Sequence, residues 1–181
     1  MKLTRCFVAT QLSPAAIAEI KRIQEGLMDR FHFDGKLTEP EQLHLTLKFL
    51  GEIDEPTLQT VRKQLFAIHF EPLSVALISV GVFSSHTPRI VWIALDGADG
   101  LQHAVDKSLE HLFSIEKQFM GHITIARLKH LEEKKEFLRY LNQLHCSTRF
   151  TIDRFFLNKS ILTPSGTIYE TIEEYVARIT F

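Results

Sequence analysis

Two short stretches, His44-Leu45-Thr46-Leu47 and His122-Ile123-Thr124-Ile125, constrain this chain more than anything else in it. Each reads histidine, apolar, threonine, apolar, inside a run with the alternation of a β-strand. Side chains of a strand alternate between faces, so His44 and Thr46 share one face while Leu45, Leu47 and Phe49 fall on the other. His122 and Thr124 are set against Ile123 and Ile125 in the same way. Each stretch thus presents an imidazole and a hydroxyl roughly 7 Å apart along the strand, with an apolar back to anchor it. Two such units brought face to face give two histidines and two threonines around one point, a set suited to a phosphodiester.

At 181 residues and 45% hydrophobic, the chain builds one substantial domain or two small lobes sharing a core. The net charge of −1 and pI near 6.8 leave no broad basic field for long nucleic acid, although one local cluster of donors still holds a single phosphate. No apolar run reaches the length of a membrane span. The first residues, MKLTRCFVATQLSP, lack the apolar core and small-residue cleavage site of a signal peptide. Cys6 and Cys146 form no metal-type pair and read as small apolar residues, which points to free thiols and a cytoplasmic setting.

Taken in order, residues 6 to 11 read as a strand, and Ser13-Pro14 as a helix start with serine at the N-cap. Ala16, Ile20, Ile23 and Leu27 give that helix one buried stripe. Residues 31 to 42, with Gly, Pro and charges, read as a loop into the first histidine strand, which Gly51 ends. Asp54, Glu55 and Pro56 open a second helix carrying Leu58, Val61, Leu65 and Ile68 inward. Leu73, Val75 and Leu77 alternate in one phase and Ile78, Val80 and Val82 in the other, which predicts a bulge near Leu77. Residues 84 to 89 form a turn, and Ile90 to Leu95 a nearly all-apolar strand covered on both faces.

Beyond the break at residues 96 to 100, a third helix carries Leu101, Val105, Leu109 and Leu112. The second histidine strand follows at 122 to 128, and then a fourth helix with Leu138, Leu141 and Leu144. Closing strands at 149 to 158 and 167 to 179 flank a type I turn at 163 to 166. The order strand, helix, histidine strand, helix, strand therefore occurs twice. This predicts an α+β fold of two pseudo-symmetric lobes, each with an antiparallel sheet and two helices, flanking a central cleft. Residues 1–181 then form a single bilobal domain with the histidine strands at its centre.

Histidine exchanges a proton near neutrality, with an ordinary pKa of about 6.5. Opening a cyclic phosphate needs one imidazole to take a proton from water while the other protonates the departing ribose oxygen. Threonine hydroxyls donate to the non-bridging oxygens. No Asp, Glu or Cys neighbours either histidine at ligand spacing, so the scheme calls for no metal or cofactor. One isolated His-x-Thr more simply reads as a surface histidine beside a β-favouring threonine. Two copies at matching places in a repeated order carry more weight.

The stretches HLTLKFLG (44 to 51) and FMGHITIARLK (119 to 129) resemble the two signature motifs of the 2H phosphoesterase superfamily. The resemblance is closest to its RNA 2′,3′-cyclic phosphodiesterase branch, also called the 2′-5′ RNA ligase family. It extends through RCFVAT (5 to 10), GVFSSHTPRIVWIAL (81 to 95) and SILTPSGTIYE (160 to 170). It implies hydrolysis of a 2′,3′-cyclic phosphate to a 2′-phosphomonoester, with joining or cleavage of 2′-5′ linkages in some members. By motif position it makes His44 the proton donor, His122 the proton acceptor, and Thr46, Thr124 and Arg127 phosphate contacts. Strict alternation turns Arg127 away from His122, so a twist or bulge is required. Gly121 stands where the family has proline, and LTEPEQ where it has a Trp-Val stretch.

The expected partners are RNA ends, tRNA halves among them, or small cyclic nucleotides, bound by a monomer with no membrane contact. Lys48 falls on the His44 face, Phe7 is expected in the core ahead of a base-stacking role, and Trp92 in the core. His103 and His111 read as surface residues of a helix, and His69, His86, His130 and His145 sit near element ends with no partner spacing. The rival readings are a nucleotide- or RNA-end-binding module without turnover, and a 2H phosphodiesterase for another small cyclic phosphate or a 2′-5′ oligonucleotide. An RRM-like interaction protein is the third.

Overall fold

In the computed structural model, residues 3–164 and 166–178 are described, and among them nine strands form two antiparallel sheets covered by four α-helices. One sheet runs β3 (His44–Ile53), β1 (Thr4–Gln11), β8 (Arg154–Thr163), β9 (Gly166–Val176). The other runs β2 (Phe33–Leu37), β6 (His122–Leu131), β5 (Ile90–Asp96), β4 (Leu73–Val82), β7 (Arg149–Ile152). The helices are α1 (Pro14–Arg30), α2 (Glu55–Phe66), α3 (Asp99–Ser108) and α4 (Lys134–Gln143). The α+β class and the antiparallel sheets agree with the sequence pattern.

Local chemistry sets the helix starts. The Ser13 hydroxyl accepts the Ala16 N–H at 3.1 Å and Pro14 fills the first helical position, where a missing N–H costs nothing. The Asp54 carboxylate accepts the Thr57 N–H at 3.0 Å and caps α2 in the same manner. The expected stripe on α1 is buried, with Gln24 embedded in it.

The repeat is interlocked rather than side by side. The strand that closes the first unit, β4, pairs with β5 of the second, and the strand that closes the second, β8, pairs with β1 of the first. Helices exchange too: α1 packs against β6 and β7 in the opposite sheet, and α3 packs against β3. Each sheet therefore depends on both halves of the chain, where the sequence order alone suggested a lobe per half.

Several local expectations change. Residues 31 to 42 are not one loop but hold β2 and a short 3-10 helix, Pro40–Gln42. β2 is an edge strand with almost no buried side chains, so it lacks the alternation that marks a strand. Gly35 is what lets it pair, because a Cβ there would collide with the Arg127 carbonyl of β6. Gly51 does not end β3: at φ +71° it absorbs a register shift that leaves Leu50 unpaired, and the strand runs on to Ile53. The expected bulge in β4 is present, with Ile78 skipped between Leu77 and Ser79. The strand at 149 to 158 is split at Asp153 into β7 and β8, which belong to different sheets. β5 is buried only through Val91, Ile93 and Leu95; Ile90, Trp92 and Ala94 are half-buried on the other face. The last strand, expected over 167 to 179, ends at Val176, with Ala177 and Arg178 outside it; Ser165 of the expected turn at 163 to 166, and position 179, lie outside the described residues.

Candidate active site

The two histidine strands bulge at the same step. In β3, Lys48 faces Val8 and Thr46 faces Ala9, which leaves Leu47 without a partner. In β6, Ala126 faces Val91 and Thr124 faces Trp92, which leaves Ile125 without one. The extra residue shifts the side-chain phase, so Leu47 with Lys48, and Ile125 with Ala126, are consecutive buried pairs. The next residue in each strand then returns to the histidine face. Arg127 thereby reaches the cleft that alternation denied it. Phe49, expected on the apolar back, emerges beside His44 and Thr46 at 71% exposed. Lys48 moves the opposite way, from the histidine face to the interior, where it is 8% exposed.

Buried polar groups on the facing helices hold both bulges. Under β3, Lys48 Nζ ion-pairs with Asp106 of α3 and donates to the Ser114 carbonyl at 2.8 Å. Asp106 also accepts from Gln102 Nε2 at 2.7 Å and from the Glu116 N–H at 2.8 Å, so the carboxylate is fully engaged. Under β6, Gln24 Nε2 of α1 donates to the Ile125 carbonyl at 2.8 Å and to the Thr38 carbonyl at 2.9 Å. The Thr38 N–H donates to the same Ile125 carbonyl at 2.9 Å. The freed backbone oxygen of the bulge is thus satisfied from inside. Gln24 and Gln102 stand at the same spacing before His44 and His122, so the repeat extends into the helices further than the strands alone suggest.

A cavity of about 480 Å³ lies between the sheets. His44, Thr46, His122, Thr124 and Arg127 all line it, as do Arg5, Lys36 and Phe49. Each imidazole is pinned by its own backbone: Nδ1 of His44 meets the Gln42 carbonyl at 2.7 Å, and Nδ1 of His122 meets the Met120 carbonyl at 2.8 Å. A carbonyl only accepts, so each Nδ1 carries the hydrogen and each Nε2 is left for proton exchange. His44 packs against Phe7 and edge-on against Tyr169, at ring distances of 5.2 Å in both cases. His122 packs edge-on against Phe83 at 4.9 Å. Burial holds the His44 imidazole below its ordinary value; Arg127 and His122 add to that, and the Gln42 carbonyl acts against it.

Thr46 and Thr124 make no side-chain hydrogen bond among the described residues, so both hydroxyls are available. Arg127 lies directly across from Lys36 of β2, and neither cation has an acidic partner among the described residues. Like charges opposed on adjacent strands repel, and a bound anion relieves the repulsion. Cys6 borders the cavity, but burial pushes its thiol up to about 11, as it does for Cys146, so neither supplies a thiolate near neutrality. No group of three or more His, Cys, Asp or Glu converges among the described residues, and no described helix is long and apolar enough to cross a membrane.

Phe7 is buried at 3%, as expected, though its ring supports His44. Trp92, expected in the core, is half-buried across the sheet from Gly81, where a Cβ would strike its ring. His103 and His111 are exposed as expected, and so are His69, His86, His130 and His145. Sequence reasoning missed Lys36 and Phe49, one in a segment read as loop and the other assigned to the wrong face. A cation opposite Arg127 becomes visible only with the β2 register.

Two pinned imidazoles and two hydroxyls from equivalent strands thus line one cavity, together with cations that lack an acidic partner among the described residues. Residues 11–92 match the family described as LigT like phosphoesterase. The chain is 33% identical over 178 residues to the RNA 2′,3′-cyclic phosphodiesterase of Methanocaldococcus jannaschii, covering 94% of this chain and 99% of that one. It belongs to the LigT-like phosphoesterase family. Among solved structures, TT0787 of Thermus thermophilus superposes with a TM-score of 0.83 at 26% identity, covering 96% of this chain and 98% of that one. E. coli LigT complexed with 3′-AMP shares the fold, with a TM-score of 0.75 at 19% identity and coverage of 98% and 99%.

Proposed function

We propose that this chain hydrolyses RNA 2′,3′-cyclic phosphate ends to 2′-phosphomonoesters, with His44 as proton donor and His122 as proton acceptor. His122 Nε2 takes a proton from water as the water oxygen bonds to phosphorus. The bond from phosphorus to O3′ breaks, and His44 Nε2 delivers a proton to that oxygen. Thr46, Thr124 and Arg127 donate to the non-bridging oxygens, whose charge shifts as the reaction proceeds. The bound phosphate anion offsets the effect of burial on His44 and favours the protonated form that an acid requires. Phe49 offers an exposed ring for the terminal base.

The observation that carries this reading is the pair of imidazoles on equivalent strands, each with Nδ1 fixed and Nε2 free, lining one cavity. The name of the M. jannaschii relative supports the substrate, and the 3′-AMP in E. coli LigT supports a nucleotide in this kind of cleft. The donor and acceptor assignment follows the family motif order. On the same reading residues 1–181 act as one bilobal catalytic domain, because both sheets take strands from both halves.

The test is incubation with 2′,3′-cyclic nucleotides in EDTA and identification of the product isomer. The wild type is expected to yield a 2′-phosphate, and His44→Ala and His122→Ala each to lose about 10²–10⁴-fold in kcat. Unchanged turnover in either variant refutes the two-histidine mechanism, and a binding module without turnover yields no product at all.

A further inference from the structure

A second cavity, of about 450 Å³, lies at the far end of the first sheet. It shares Arg5, Ser160 and Leu162 with the active-site cavity, so the two form one trough. We propose that this trough binds the internucleotide phosphate next to the reacting end, through Arg5, and that the preferred substrate is an RNA chain of at least two nucleotides. The proposal rests on the reaction assigned above, because it requires the cyclic phosphate to lie between His44 and His122.

The register of the first sheet sets out the order along the trough. On β1, Ala9 is opposite Thr46, Phe7 opposite Phe49, and Arg5 opposite Glu52. Arg5 is therefore about 13 Å along the strand from the level of Thr46, with Phe49 between. The two phosphates that flank a single nucleotide are closer together than this, and the long Arg5 side chain makes up the difference. With the cyclic phosphate at Thr46 and the base on Phe49, the 5′ phosphate then comes within reach of the Arg5 guanidinium. A lone cyclic nucleotide has nothing to place there.

Arg5 is suited to this role and to no structural one. It is exposed and makes no hydrogen bond or ion pair among the described residues, even though Glu52 is its register partner. Lys159, in the same trough, is held by Glu170 at 2.7 Å. A guanidinium without a carboxylate partner presents paired donors to a phosphate. Beside it, the 70% exposed Leu162 offers an apolar face to a ribose or base. With a net charge of −1 the chain has no general field to hold RNA, so a local cation must do so.

The test compares kcat/KM for adenosine 2′,3′-cyclic phosphate, for ApA ending in a 2′,3′-cyclic phosphate, and for the same dinucleotide with a neutral methylphosphonate linkage. The phosphodiester dinucleotide is expected to exceed the mononucleotide by about tenfold, the scale of one hydrogen bond to a charged group. The methylphosphonate is expected to lose most of that advantage. In Arg5→Ala the dinucleotide-to-mononucleotide ratio is expected to fall towards one, and Arg5→Lys to keep part of it. The salt dependence of the dinucleotide should be steeper by a slope of about 0.7, and this excess should vanish in Arg5→Ala. A ratio near one in the wild type overturns the subsite, as does an advantage that survives the neutral linkage or Arg5→Ala. Failure to hydrolyse any of the three overturns the reaction assignment and the subsite with it.

Discussion

The β3 and β6 walls of the cleft share a backbone plan and differ in what that plan delivers. Both strands carry His-x-Thr, both bulge one residue later, and both pin the imidazole through the carbonyl two residues before it. One step past the bulge, β3 presents a phenyl ring at Phe49 and β6 a guanidinium at Arg127. The supports differ as well. An ion pair between Lys48 and Asp106 underlies one bulge, and a neutral glutamine, Gln24, underlies the other. His44 sits between two aromatic rings, whereas among the described residues His122 has only Phe83 against it. Pseudo-symmetry thus brings two proton-exchanging groups together, and the side chains at equivalent positions give each its own surroundings.

The sharpest way to break the equivalence is chemical. A nucleoside phosphodiester with a 4-nitrophenolate leaving group needs no proton on departure. It is expected to recover most of the roughly 10²–10⁴-fold loss in His44→Ala and little of that in His122→Ala. Equal recovery in both variants, or recovery in His122→Ala alone, reverses the assignment.

The two bulge supports should separate in denaturant unfolding. Asp106→Ala leaves the Lys48 ammonium buried without its partner, and a loss of about 3–5 kcal/mol is expected. Gln24→Ala leaves the Ile125 carbonyl one remaining donor, the Thr38 N–H, and a loss of about 1–3 kcal/mol is expected. Comparable losses would mean that the ion pair contributes no more than a hydrogen bond.

Steady-state kinetics should separate the residues beyond the bulges. Arg127→Gln removes a donor to the developing charge and is expected to lower kcat by about 10². Phe49→Ala removes a stacking surface and is expected to raise KM about tenfold with little change in kcat. The smallest effect is in titration. Free His44 should titrate below 6.5, because burial and the Arg127 cation both disfavour its charged form. In Arg127→Gln one of those causes is gone, so its midpoint in an NMR titration should move up. A midpoint that stays put leaves burial and His122 as the causes.

Features encoded within a few residues were legible in the sequence. The Ser13 and Asp54 caps, the buried stripe of α1 and the phase change in β4 could be read one window at a time. The histidine–threonine pairs were legible because their spacing precedes the bulge. Everything one step further along was reversed, and Lys48 and Phe49 exchanged faces, because a bulge is a property of two paired strands. β2 escaped notice since an edge strand with a glycine and exposed charges has no apolar rhythm. The exchange of β4 and β8 between sheets depends on which strand finds which partner across the chain, and no local pattern carries that information.

That exchange also sets a timetable for synthesis. β1 and β3 emerge early, but the neighbour that completes their sheet, β8, follows more than a hundred residues later with β9 behind it. Two paired strands alone are marginal in water. The sheet with His122 has all five of its strands once β7 is made, whereas the sheet with His44 waits for residues 154 to 176. A growing chain that lacks those last two strands carries both histidines and no finished cleft between them.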